Sequence, residues 1–259
     1  MEELIVGNNS NENKIIVYDA PIKIAHVKKS FGSNQILKDI NLTVNKGESV
    51  VVLGKSGTGK SVLIKCIVGL IQPDEGELII LGKNIPQLNQ EELDEVRKKI
   101  GFLFQSAALY DSMTVRENLE FPLKRHSDFK GKGDLKDIVE EALSNVGLLP
   151  AIDKMPSELS GGMRKRVGLA RTLIMKPDIM LYDEPTTGLD PVTSKEISEL
   201  ILSMQEKYQT TSIIITHDIP CAKMTADRLV VLKDGVYAAE GSYEELENDK
   251  DPWIRSFFI

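Results

Sequence analysis

Gly54-Lys55-Ser56-Gly57-Thr58-Gly59-Lys60-Ser61 joins an apolar strand-like run, Val50 to Leu53, to a helix-like run, Ser61 to Leu70. That strand–loop–helix setting gives the pattern G-x(4)-G-K-S its meaning. Glycines let successive backbone N–H groups converge on one point without Cβ clashes. The helix N-terminus behind them adds roughly half a positive charge. The result is a phosphate cradle made by Gly54, Lys55, Ser56, Gly57, Thr58 and Gly59. Lys60 would reach the β- and γ-phosphates, and the Ser61 hydroxyl would be a ligand for Mg²⁺. A nucleoside triphosphate with Mg²⁺ is the expected occupant.

Outward from this loop, the chain after Pro21 alternates strand-like pieces: Ile22 to Val27, Ile40 to Val44, Ser49 to Leu53 and Gly76 to Leu81. Asn34-Gln35 and Asn45-Lys46-Gly47 read as turns between the early ones. From Ser106 to about Lys176 the pattern becomes helical. Leu135, Ile138, Val139, Ala142, Leu143 and Val146 make one apolar face, Gly147 suits the C-terminal cap and Pro150 stops continuation. Strands resume at Ile179 to Tyr182, Ser212 to Thr216 and Leu229 to Leu232, with a helix opened by Asp190 and Pro191 between the first two. This alternation predicts an α/β core with a largely parallel sheet and a helical insertion. Residues 1–20 read as a flexible tail, because Gly7 to Asn13 is Asn-rich with little to bury.

The candidate chemistry clusters at strand ends, where ligands of open α/β sheets sit. Asp183, after Ile179 to Tyr182, would face the Mg²⁺ shell, and Glu184 would polarise the attacking water as general base. His217, after Ser212 to Thr216, is placed to bond the γ-phosphate or position the water. Gln105, after Gly101 to Phe104, offers an amide oxygen to Mg²⁺, or is a loop glutamine bonded to backbone. Leu159-Ser160-Gly161-Gly162-Met163 precedes a helical run with Met163, Val167, Ala170 and Ile174 on one face. Ser160, Gly161 and Gly162 make a second anion-directed helix start, although one chain has one ATP-sized cradle. A head-to-tail pair of chains, each closing on its partner's ATP, accounts for both. Arg164, Lys165, Arg166 and Arg171 read as a solvated or charge-compensating face.

Composition bounds the rest. The 259 residues are 41% hydrophobic and 27% charged, as in globular proteins, and the net charge of −7 argues against a general nucleic-acid binder. No apolar run approaches the roughly eighteen residues of a spanning helix, so a membrane role would come through a partner. Met1-Glu2-Glu3 lacks the basic flank of a secretion signal, and Cys66 and Cys221 show no paired or metal-ligand spacing, which points to a reducing cytoplasm.

From about Ile22 to Asp234 the chain resembles the ATP-binding cassette (ABC) superfamily. Gly54 to Ser61 matches Walker A, Ile179 to Asp183 Walker B, Leu159 to Met163 the signature motif, Gln105 the glutamine loop and His217 the switch histidine. Met163 departs from the usual glutamine. The resemblance implies a nucleotide-binding domain over residues 21–259, with an antiparallel β subdomain and a helical subdomain of about residues 106–176. Phe31 falls where the family stacks an aromatic on adenine, and Asp190 ends the segment after Walker B that starts at Thr187.

The stretches Leu159 to Arg166, Phe104 to Leu123, Leu181 to Pro191 and Pro252-Trp253-Ile254-Arg255 are similar to the ATPase subunit of Mla-type, Mce-associated phospholipid transporters. That implies an ATPase homodimer docked on an integral membrane permease at the cytoplasmic face of the inner membrane. An Mce-domain lipid-binding protein and a STAS-domain regulator would be its further partners, with no nucleic acid. Other transporters and soluble assembly ATPases share the ATP motifs. The heptad coils of chromosome-type members are missing between Ser61 and Ser160.

Overall fold

The computed structural model describes residues 18–125 and 134–258. Of the expected tail, residues 1–17 lie outside the described residues. Tyr18 already packs against the core beside Gly82, and the Asp19 carbonyl accepts from Lys46 N at 2.9 Å.

Among the described residues, ten strands form one mixed sheet. In chain order they are β1 Ile22–Phe31, β2 Asn34–Val44, β3 Ser49–Leu53, β4 Glu75–Ile80 and β5 Lys83–Asn84. The others are β6 Ile100–Leu103, β7 Ile179–Asp183, β8 Thr211–Thr216, β9 Arg228–Lys233 and β10 Val236–Gly241. Their spatial order is β5-β4-β1-β2-β10-β9-β3-β8-β7-β6. The run β9-β3-β8-β7-β6 is parallel, whereas β5-β4-β1-β2 is antiparallel. The two regions meet through a single parallel pairing of Val236 with Asp39.

The parallel strands have apolar centres because both their faces are covered. Val50 and Val52 pack into one core beneath helix α1 (Lys60–Ile67). Val51 and Leu53 point the other way, into a core shared with α6 (Pro191–Tyr208). Helix α6 starts as the sequence predicts, with the Asp190 carboxylate accepting from Val192 N and Thr193 N, and Pro191 at the first position. The turn expected at Asn34-Gln35 is displaced: the chain reverses at Gly32-Ser33, where Gly32 takes φ 61°, and Asn34 and Gln35 already pair with β1. A glycine in left-handed backbone outcompetes an asparagine for that corner.

Helix α2 (Gln90–Arg97) precedes β6; after β6, the segment expected to be helical from Ser106 begins with turns. Helix starts only at Val115, with α3 Val115–Arg125, then α4 Leu135–Asn145 and α5 Gly161–Leu173. Buried Asn118 explains the delay, since its amide donates to the carbonyls of Tyr110, Met113 and Thr114 and pins that loop without helix. The α4 face is as expected, with Val139, Leu143 and Val146 buried against Leu119, Val167 and Ala170 in a third core. Gly147, at φ 69°, caps the helix, and Leu148 N reaches back to the Leu143 carbonyl at 2.8 Å. Leu143→Ala should lower unfolding free energy by about 2–5 kcal/mol, because a fully buried leucine leaves a cavity. Urea titration followed by circular dichroism checks it; an unchanged midpoint would show that this core closes up without cost.

Candidate nucleotide site

Strands β3, β8, β7 and β6 lie side by side, and their registers set Leu53 beside Thr216, Ile215 beside Asp183 and Tyr182 beside Leu103. Their carboxyl ends therefore stop at one edge. The residues just past each strand converge there: the loop from Gly54, then His217, then Glu184, then Gln105. They line a cleft of about 700 Å³ together with loop residues 54–57 and 59–61.

Two of the loop's glycines leave no room for a side chain. A Cβ on Gly54 would stand 2.8 Å from the Leu232 carbonyl oxygen, and Gly59, at φ 103°, would press one to 2.9 Å from Ile36 and Leu37. No side chain caps the α1 N-terminus, so its first N–H groups remain available to an anion. The buried Lys60 Nζ donates to the Gly54 and Lys55 carbonyls at 2.6 and 3.1 Å and stands 3.8 Å from Glu184 Oε1. Burial holds its ammonium below the usual lysine range, with Glu184 and Asp183 pulling the other way. A triphosphate would add negative charge beside an ammonium that Glu184 and Asp183 offset only in part.

The Ser61 hydroxyl lies 3.3 Å from Asp183 Oδ1. Burial pushes the Asp183 carboxyl above the ordinary carboxylate range, partly offset by Ser61. A hydroxyl and an undercompensated carboxylate, with the Gln105 amide at the same cleft, suit a hard, oxygen-seeking cation such as Mg²⁺. Glu184 Oε2 is 2.8 Å from His217 Nδ1 and accepts from Thr187 Oγ1 at 3.0 Å. Its N–H is anchored to the Ile215 carbonyl at 2.8 Å, and its φ of 51° is left-handed. Glu184 is nearly buried, while the His217 side chain is 61% exposed. The histidine thus faces outward, over a shielded carboxylate.

Phe31 closes β1 outside the lining of this cleft, half exposed, with Lys29 Nζ 5.4 Å from its ring. Asp190 is engaged in capping α6, and Thr193 Oγ1 donates to it at 2.6 Å. Ser160 caps α5 by accepting from Met163 N at 3.2 Å, and the turn Ser160–Gly162 does not line the cleft of its own chain. Gly162 is required there, since a Cβ would lie 2.4 Å from Thr193 Cγ2.

The basic quartet on α5, expected to be solvated or charge-compensating, divides between the two. Arg164 is exposed, but its Nη1 donates to the Leu159 carbonyl at 2.6 Å, and Arg166 pairs with Glu196 at 2.7 Å. Arg171 donates to the carbonyls of Ala107 and Ala108. Lys165 is 5% exposed and donates to the Glu184 carbonyl at 3.0 Å. Burial lowers its ammonium to about 8, against the pull of Asp183 and Glu184. Its position was readable: Gly162, Lys165, Leu169 and Leu173 fall at i, i+3, i+7 and i+11, one helix face.

The sequence reading also missed the far end of the chain, which reaches the site. Ser256 and Phe257 line the cleft, and Trp253 of α9 (Pro252–Arg255) lies under Lys233 Nζ at 4.0 Å and Lys55 Nζ at 5.9 Å. Between β8 and this end, α7 (Ile219–Thr225), β9, β10 and α8 (Tyr243–Glu247) complete the second core. Cys66 and Cys221 are buried free thiols, both pushed up to about 11 by desolvation.

A Walker-type cradle, an acidic pair and a histidine on adjacent parallel strands define the class: a P-loop nucleotide-binding ATPase. The sequence profile described as "ABC transporter" matches residues 37–187, and the chain belongs to that family. It is 42% identical over 236 residues to "Probable ribonucleotide transport ATP-binding protein mkl" of Mycobacterium tuberculosis, covering 91% of this chain and 66% of that protein. To "Intermembrane phospholipid transport system ATP-binding protein MlaF" of Escherichia coli K12 it is 38% identical over 226 residues, 87% of this chain and 84% of MlaF. Its fold is similar to the dimeric ATP-binding cassette MJ0796 in a post-hydrolysis state bound to ADP and Pi. That comparison has TM-score 0.76 and 35% identity, covering 85% of this chain and 98% of that one. ABC cassettes bind and hydrolyse ATP, form dimers and work with membrane permeases. No helix among the described residues is long and apolar enough to cross a membrane.

Proposed function

We propose that this chain is the ATP-hydrolysing subunit of a phospholipid transporter, acting as a homodimer docked on an integral membrane permease at the cytoplasmic face of the inner membrane. One observation carries the dimer: the Ser160–Gly162 turn does not line the phosphate cleft of its own chain. Each cleft is complete only when a second copy brings its turn. Glu184 acts as the general base on the attacking water, and His217, 2.8 Å from it, orients that water and the γ-phosphate. Lys60 neutralises the transferring phosphoryl group; Ser61, Asp183 and Gln105 hold Mg²⁺, which offsets charge on the phosphates. Phe31 takes the adenine, and Asp190 sets the segment at the dimer seam.

Mg·ATP attracts both chains while its γ-phosphate bridges them, and hydrolysis removes that differential contact. At an effective dielectric of about 20, one charge pair near 4 Å is worth ~4 kcal/mol, so a few such contacts close or open a dimer. Similarity to MlaF supports phospholipid as cargo, and the further partners proposed with it are an Mce-domain protein and a STAS-domain regulator. The name of the mycobacterial relative favours a second reading, ribonucleotide transport. The complex purified in detergent and placed in vesicles separates the two. ATP-dependent transfer of a fluorescent phospholipid is the expected result. Uptake of labelled ribonucleotide without lipid transfer would replace the first reading with the second, and a chain that never co-purifies with a membrane protein would remove both.

A further inference from the structure

We infer that Lys165 is a positioning residue that ties the base-bearing segment to the helix whose first turn meets the partner's nucleotide. The inference rests on the reading of Glu184 as base and of Ser160–Gly162 as the partner-facing turn. Lys165 stands about one turn after Ser160 on α5, and its ammonium donates to the Glu184 main-chain carbonyl at 3.0 Å. Glu184 N–H is bonded to β8 at the Ile215 carbonyl, so both backbone groups of this residue are held. A glutamate at φ 51° persists only where its surroundings over-determine it. That conformation carries the carboxylate to His217 and Thr187.

The same helix meets the far end of the segment. A Cβ on Gly161 would lie 3.2 Å from Leu189 Cδ2, and one on Gly162 would lie 2.4 Å from Thr193 Cγ2. Helix α5 therefore lies close against the chain from Glu184 to Thr193 at three residues, one of them through a charged hydrogen bond. Any shift of its first turn on meeting the partner's ATP is passed to this chain's own base. Lys165 does not line the nucleotide cleft, so it acts on catalysis without touching the substrate.

The test is steady-state ATP hydrolysis by the full chain, with melting temperature measured alongside. Lys165→Met keeps the length and removes the donor; kcat should fall about 10²-fold, the scale of a small misplacement of a reacting group, while KM for ATP stays at the parent value. Lys165→Gln, which restores a neutral donor to the carbonyl, should recover most of the loss. A residue that only supports the fold would lower the melting temperature without splitting kcat from KM. If methionine does not pack, Lys165→Thr, too short to reach the carbonyl, takes its place. Parental kcat in a folded Met or Thr variant, or a folded Gln variant no better than either, overturns the inference. Glu184→Gln run in parallel keeps the two readings apart: parental turnover there would sink the base assignment instead.

Discussion

Glu184→Gln should abolish turnover while leaving ATP binding intact, and the chain should then accumulate as a stable ATP-bound dimer. The glutamine keeps the shape and the neighbours at His217 and Thr187 but cannot take a proton from water. General-base removal costs typically 10²–10⁴-fold in rate. The substitution also removes a negative charge that faces the triphosphate from a nearly buried position, so the closed pair gains stability as hydrolysis is lost. Phosphate release and light scattering with Mg·ATP measure both effects on one sample. A variant that hydrolyses ATP at the parental rate would show that another group activates the water.

Lys60→Ala should act on binding itself. Its ammonium is buried at the base of the cradle, bonded to two loop carbonyls, and kept below its ordinary range by desolvation. A cation in that state has much to gain from a phosphate. At ~4 kcal/mol for one pair near 4 Å at a dielectric of about 20, its loss weakens ATP binding on the order of 10³-fold. Thermal stabilisation by ATP should vanish with it, because a ligand at about 100 times its Kd contributes roughly 2.7 kcal/mol and one far below its Kd contributes almost none. Titration calorimetry gives the affinity directly. Unchanged affinity would mean that the backbone N–H groups alone hold the phosphates.

The placement of these two residues was legible from spacing because it is set locally: a loop between a strand and a helix, and an acidic pair after a strand. Gln105 and His217 were legible for a related reason. The C-ends of parallel neighbours share an edge, so a polar residue just past an apolar run lands in the cleft. Lys165 escaped because a run of basic residues looks solvated unless the helix face is counted, and its partner is a main-chain atom with no sequence signature. The late start of α3 escaped too, since one asparagine side chain replaces the hydrogen bonds of a helix turn. Trp253 and Phe257 lie about two hundred residues from the loop they adjoin. Only the folding back of the chain after β10 brings them there.

That last packing has a practical edge. With Trp253 beneath Lys55 and Phe257 on the cleft wall, a dye attached at Ser256 would sit at the nucleotide's doorstep. Labels for kinetic work belong instead on the far rim of the sheet, for example at the exposed Lys83 of β5, where they leave that entrance clear.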